Sequence, residues 1–316
     1  RAMGANLRFY PVDADMKPDF GACRSLATEQ APDLFVLVHY LGRPNTGEAA
    51  REFCATFGAW MIEDAAHVLC PTGGIGGWGD FVLYSPHKHL PIPDGAVLVA
   101  RPSGPSRISV DVMKDFGLPG NWSDQLRGSG AQDGTPARHE LKDSCVWLAK
   151  RSLQKFGIRN WRRVPPAFAE PIHGVSAPSE LIGPPGISRL ARRLLPGVVA
   201  QLDRVARARR RNQMLWDSLI VRGTGSDGVE TDERPQRDEW TPYLASFRVD
   251  SRVAEETYDN WVQRGLPVMT WPDLPPEVKA DREGHTLAWR LRHDRLYLPV
   301  HQTLRIPARD VDVPER

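Results

Sequence analysis

Lysine is scarce in this 316-residue chain, where most of the 41 basic residues are Arg. Cysteine is scarcer still. Cys23, Cys54, Cys70 and Cys145 make no C-x-x-C pair and no zinc spacing, which excludes a disulfide framework and leaves reduced structural thiols in a cytoplasmic protein as the expectation. No metal site is expected. Long apolar runs are missing as well: Leu34–Leu41, with His39 inside it, falls far short of the roughly 20 residues that span a bilayer. No membrane association is therefore expected. An excess of one charge is also lacking, since the formal net charge is +2. The run Arg207-Ala-Arg-Arg-Arg211 sits in an amphipathic pattern (Val198, Leu202, Val205, Trp216, Leu219) and reads as a solvated or subunit-facing helix rather than a nucleic-acid contact. An initiator Met is absent, the chain opening Arg1-Ala-Met, and no signal peptide is expected from this start.

With 41% hydrophobic residues the chain is that of an ordinary globular protein, long enough for one large or two medium cores. Leu7–Val12, Leu34–His39, Trp60–Ile62, Phe81–Tyr84 and Ala96–Ala100 read as strands. Thr46–Phe57 reads as a helix, with Ala49, Ala50, Phe53, Cys54 and Phe57 on one face and Gly58 as its stop. That alternation predicts an α/β fold with a largely parallel sheet and flanking helices. Residues 101–140 and 164–186, rich in Gly, Pro and Ser, are expected as loops. A long helix is expected from about Val198 to Val221, leading into a smaller C-terminal α+β domain. The domains are accordingly placed at 1–196 and 197–316. Gly74-Ile-Gly-Gly-Trp-Gly79 satisfies G-x-G-x-x-G, but no helix is expected after it, so it reads as a loop and not as a dinucleotide site.

Two segments carry chemistry. In Asp80-Phe-Val-Leu-Tyr-Ser-Pro-His-Lys-His-Leu90, Lys88 stands between two histidines just beyond a short apolar strand. A lysine in a partly desolvated cleft acts as an amine nucleophile; alone, it reads more readily as a solvated loop lysine. In Trp60-Met-Ile-Glu-Asp-Ala-Ala-His67 an apolar strand runs into an acid and a histidine. Ligands of parallel sheets collect at the carboxyl ends of strands, so Asp64 and Lys88 are expected on one rim. An acid facing a lysine amine suits pyridoxal phosphate, whose ring nitrogen the acid keeps protonated. Taken singly, Asp64 reads as well as a helix cap. His39, also at a strand end, is a candidate for lining a substrate pocket or for simple core packing.

Leu34-Phe-Val-Leu-Val-His-Tyr-Leu-Gly-Arg-Pro44, Ile62-Glu-Asp-Ala-Ala-His67, Ser85-Pro-His-Lys-His-Leu90 with Asp94-Gly95, Thr241-Pro-Tyr and Leu296-Tyr-Leu-Pro-Val-His-Gln-Thr-Leu304 together resemble the DegT/DnrJ/EryC1/StrS family. These are fold-type-I pyridoxal phosphate enzymes, mostly nucleotide-sugar aminotransferases. The resemblance implies that Lys88 is the Schiff-base lysine and Asp64 the partner of the pyridine nitrogen. It further implies that His67 faces the cofactor's 3′-oxygen and that Arg189 lies near a phosphate site shared with the partner subunit. It also implies a homodimer, a glutamate donor and a keto-sugar acceptor in polysaccharide or secondary-metabolite synthesis. Where the family usually has a serine five residues before the lysine, this chain has Leu83. The string Ser-Pro-His-Lys resembles class V enzymes instead, which implies Ser85 and His87 as phosphate ligands and admits a lyase or desulfurase as an alternative. The family's first helices and its phosphate-binding loop at a helix N-terminus have no counterpart here. The chain is therefore expected to be N-terminally incomplete, and a non-catalytic scaffold is a further alternative.

Overall fold

Strands at Leu34–Val38 (β1), Trp60–Ala65 (β2) and Phe81–Tyr84 (β3) lie side by side and parallel, and Val97–Ala100 (β4) joins antiparallel to β3. The computed structural model describes residues 5–100, 138–155, 187–223, 229–232, 239–271 and 274–304. Alternation along β1 sends Phe35 and Leu37 inward and leaves Leu34 and Val36 exposed. The inward face is covered by helices Phe20–Glu29 (α1) and Gly47–Phe57 (α2). Asp19 caps α1 by accepting from the amides of Gly21 and Ala22, and α2 ends on Gly58 at φ 70°, the left-handed geometry that glycine adopts without cost. Phe35 and Phe53 meet at 5.1 Å between ring centroids. Truncating Phe53 to Ala in this core should cost about 3–5 kcal/mol.

Helix α2 makes the right kind of crossover between β1 and β2, whereas residues 66–80 join β2 to the parallel β3 without a helix. Beyond β4, helices span Arg138–Lys155 (α3), Arg189–Val199 (α4) and Leu202–Gly223 (α5). Strands Val229–Thr231 (β5), Leu244–Val249 (β6) and Arg295–Pro299 (β7) form an antiparallel sheet in that order. Helices Ala254–Gln263 (α6), Pro276–Ala280 (α7) and Thr286–His293 (α8) precede β7. The second core sets Leu215, Trp216 and Ile220 of α5 against Phe247, Trp261, Leu296 and Leu298. The first turns of α5 pack elsewhere: Leu202 and Val205 join Ala191 and Leu194 of α4 on Leu90 and Ile92. Helix α5 thus spans both units, and the expected division after residue 196 falls inside α4.

Two expectations are corrected. Leu7–Val12 is not a strand; only an isolated bridge links Val12 to Pro18, and Pro11 has no N–H to donate to a ladder. Tyr10 instead stacks on Phe35 and donates its hydroxyl to the Val36 carbonyl at 2.8 Å. The helix expected from Val198 is two helices, broken at Ala200-Gln201, with Pro196 accommodated near the end of α4. The loops expected at 101–140 and 164–186 lie outside the described residues, except that 138–140 open α3.

The two units meet at a tight seam. The Tyr243 amide donates to the Leu41 carbonyl at 2.9 Å. At Gly42 (φ 85°) a side chain could not be accommodated: a Cβ would lie 2.6 Å from the Thr241 carbonyl oxygen and 2.8 Å from that of His67. Nearby, buried Asp232 pairs with Arg43 at 3.4 Å and with Arg295, whose other nitrogen reaches the Ala14 carbonyl at 2.9 Å. Among the described residues no helix is long and apolar enough to cross a membrane.

Candidate active site

Because β2 and β3 are adjacent and parallel, their carboxyl ends deliver Asp64 and the Ser85–His89 turn to the same edge of the sheet. Asp64 Oδ1 accepts the Ala66 amide at 2.9 Å, an Asx turn that starts the chain toward His67; Oδ2 meets no hydrogen bond among the described residues. Lys88 closes a short 3-10 turn, Pro86–Lys88, and no described residue hydrogen-bonds or ion-pairs with its ammonium. The expected partial desolvation is absent: Lys88 is exposed, because the turn carries it onto the rim rather than into the fold. His67 lies between the two in charge terms. Burial pushes its pKa down to about 4, the Lys88 ammonium pushes the same way, and Asp64 opposes both. Its ring nitrogens have no hydrogen-bond partner among the described residues.

The other expected residues divide. Ser85 is buried at the start of the turn and its side chain caps nothing. His87 is exposed, and its Nδ1 donates to the Gly95 carbonyl at 2.8 Å, so only Nε2 remains for a phosphate. His39 does not line the site. Its ring is 1% exposed, Nδ1 accepts the Asn45 amide at 3.2 Å, and Nε2 therefore carries the hydrogen donated to Glu63 at 2.9 Å. No nitrogen is left for a substrate. Arg189 is exposed in the first turn of α4, beside Ser188, whose amide donates to Asp94 at 2.9 Å and whose hydroxyl caps Ala191 at 3.1 Å. This ties α4 to the Pro91–Gly95 loop that follows the lysine.

Several residues of the site come from the far end of the chain. Tyr243 lies flat on His67, with centroids 4.2 Å apart and planes within 6°, while Trp271 meets the same imidazole edge-on at 5.8 Å. His89 stands edge-on to Tyr243 at 5.3 Å and is 1% exposed; among the described residues only the Ala66 backbone comes near its ring nitrogens, and no well-formed hydrogen bond results. Burial, then Arg209, His67 and Lys88, push its pKa down to about 2, so it is neutral. Arg209, 2% exposed on α5, donates to the carbonyls of Pro242 and Tyr243, both at 3.3 Å, and to Gln302 at 3.2 Å. Gln302 in turn donates to the His89 carbonyl at 2.8 Å. Half of the Arg207–Arg211 run is thus spent inside the fold, since Arg210 also bonds the Trp240 carbonyl at 3.2 Å. No local spacing marks Tyr243 or Trp271 as site residues; only the Thr241-Pro-Tyr segment hinted at the first.

An ammonium, a carboxylate oxygen and an imidazole on one sheet edge, with no hydrogen-bond partners among the described residues, suit a group that needs an amine, a counter-charge for a ring nitrogen and a hydrogen-bonding neighbour. The phosphate end fits less completely, with Ser85 buried and His87 half committed.

This architecture recurs in solved structures. The aminotransferase TlmJ from Streptoalloteichus hindustanus is 21% identical and superposes over 96% of this chain and 70% of its own, with a TM-score of 0.59. A DegT DnrJ EryC1 StrS aminotransferase from Brucella abortus is 16% identical over the same shares, with a TM-score of 0.58. Spr1654 from Streptococcus pneumoniae, in its PLP form, is 15% identical over 96% of this chain and 72% of its own, at 0.62. The chain has the fold of these proteins. It is the fold-type-I arrangement expected from the sequence, a mostly parallel sheet with flanking helices. No family model and no curated protein matches the chain.

Proposed function

We propose that this chain is a pyridoxal phosphate-dependent aminotransferase that moves an amino group, with glutamate as donor, onto a nucleotide-linked keto sugar. It would do so in the cytoplasm, in polysaccharide or secondary-metabolite assembly. The observation that carries the reading is the convergence of Lys88, the free Asp64 oxygen and His67 on one sheet edge. The fold shared with aminotransferase structures supports it.

Pyridoxal phosphate, when bound, supplies an aldehyde carbon for an amine and a ring that takes up electrons. Lys88 would contribute the amine that holds it and would carry the proton to and from the substrate Cα. The free oxygen of Asp64 would keep the ring nitrogen protonated, an electrostatic contribution. His67 offers a neutral ring nitrogen, since its pKa of about 4 leaves it uncharged near neutrality. Ser85 and the Nε2 of His87 are the phosphate ligands in this reading. A homodimer belongs to the same proposal, the exposed side of Lys88 being the side that a second copy would close.

One observation favours a second reading, a scaffold without turnover: Lys88 is exposed. Borohydride reduction of protein incubated with pyridoxal phosphate, followed by peptide mass spectrometry, separates the two. The aminotransferase reading expects one stable adduct, on Lys88. An adduct on Lys142 or Lys150 instead, or none at all, would overturn it.

A further inference from the structure

Tyr243 reaches the candidate site from the other half of the chain and covers one face of the His67 imidazole, at 4.2 Å and 6°. Trp271 bounds the same ring edge-on at 5.8 Å and 81°. A ring held flat on one side and edge-on on another cannot turn about its Cβ–Cγ bond without losing both contacts, so its nitrogens are kept in one plane. Tyr243 is itself held from three directions. Its amide donates to Leu41 at 2.9 Å, its carbonyl accepts from buried Arg209 at 3.3 Å, and His89 packs edge-on against its ring at 5.3 Å.

We propose that Tyr243 is a positioning residue, which fixes the ring plane of His67 and keeps water from its face so that a ring nitrogen meets the cofactor in one orientation. The proposal rests on the aminotransferase reading for the identity of the group that His67 meets. The charged and titratable groups around the imidazole are Asp64 on β2, Lys88 and His89 on the turn after β3, and Tyr243 with Arg209 behind it. Burial is the largest influence that depresses the His67 pKa to about 4, and Tyr243 supplies part of that cover.

The test compares wild type with Tyr243→Phe, which keeps the stack, and with Tyr243→Leu and Tyr243→Met, which fill the volume without a ring. Two apolar variants are made so that a folding failure in one, seen by circular dichroism, leaves the other. In cofactor-free protein, NMR titration of the His67 ring should place wild type and the Phe variant near the same low pKa. The Leu and Met variants should move toward the ordinary histidine value of about 6.5. Absorbance titration with pyridoxal phosphate should then show binding weakened by up to about tenfold in Leu and Met, the worth of one aromatic pair, and unchanged in Phe. An unmoved His67 titration in the Leu and Met variants overturns the proposal, as does unaltered cofactor binding. Failure of the wild type itself to bind the cofactor sinks the aminotransferase reading, and the proposal with it. That outcome is recognised without any variant.

Discussion

Two neighbouring carboxylates of β2 have opposite fates. Glu63 faces the buried side of the strand, with Met61 and Ala65, and has no exposed surface. It accepts four hydrogen bonds: from His39 at 2.9 Å and from the amides of Gly76, Trp78 and Gly79 at 2.7, 2.7 and 2.6 Å. Burial alone would raise its pKa, but these donors outweigh burial and hold it below the usual 4.5. Asp64, one residue on, faces the other side, and one of its oxygens has no hydrogen bond among the described residues. An acid that builds structure is saturated by its own chain; an acid available for chemistry keeps a valence open. Here Glu63 does the work of the missing crossover helix, folding the glycine-rich loop back against the sheet between two parallel strands.

The largest expected effect tests the saturated side. Glu63→Ala strands three backbone amides and the His39 donor, and should cost about 3–5 kcal/mol of stability by urea denaturation. A wild-type midpoint would show that the loop does not depend on Glu63. Asp64→Asn tests the open side and should do the reverse, with stability within about 0.5 kcal/mol of wild type and amino transfer slowed roughly 10²-fold. Equal kinetics in the two proteins would remove Asp64 from the reaction.

Acid should discriminate the regions next. His67 and His89 have folded pKa values of about 4 and about 2, below the unfolded value of about 6.5. Between those limits the unfolded chain binds protons that the native one does not, so stability falls as pH drops below about 6.5. Glu63, with its lowered pKa, adds a loss that begins only near its unfolded 4.5. Melting temperatures should therefore decline already between pH 7 and 5, and His89→Leu should flatten that slope; a flat wild-type profile would contradict the buried imidazoles. The smallest effect is expected at His87→Ala, which loses one partly exposed bond to Gly95 and about 0.5–1.5 kcal/mol by thermal melting. A larger loss would mean that His87 anchors more than its own loop.

The sheet-side half of the site was legible because strand-end chemistry is local: an apolar run ending in Glu-Asp or in Pro-His-Lys places its last residues at the carboxyl edge. Glu63 escaped notice because a single acid inside a strand looks like ordinary polar alternation, and its partners lie in a loop that only folding brings back. Arg51, a charged helix residue, is likewise buried against Asp80 at 3.0 Å. Trp271 and Arg209 were illegible, and Tyr243 nearly so, for a different reason. Their roles depend on how the second unit docks, and no periodicity encodes that. Helix α1 was missed because it buries only Cys23 and Ala27, too faint a stripe to register.

Gly42 carries a mechanical implication. Backbone rests on backbone there, with two carbonyl oxygens where a methyl group would sit. Side-chain layers can shuffle past one another by exchanging rotamers, but bare peptide groups in contact offer no such bearing. Contact of this kind leaves the two units no room to slide across one another at Gly42. Replacing it with alanine would jam the joint ajar.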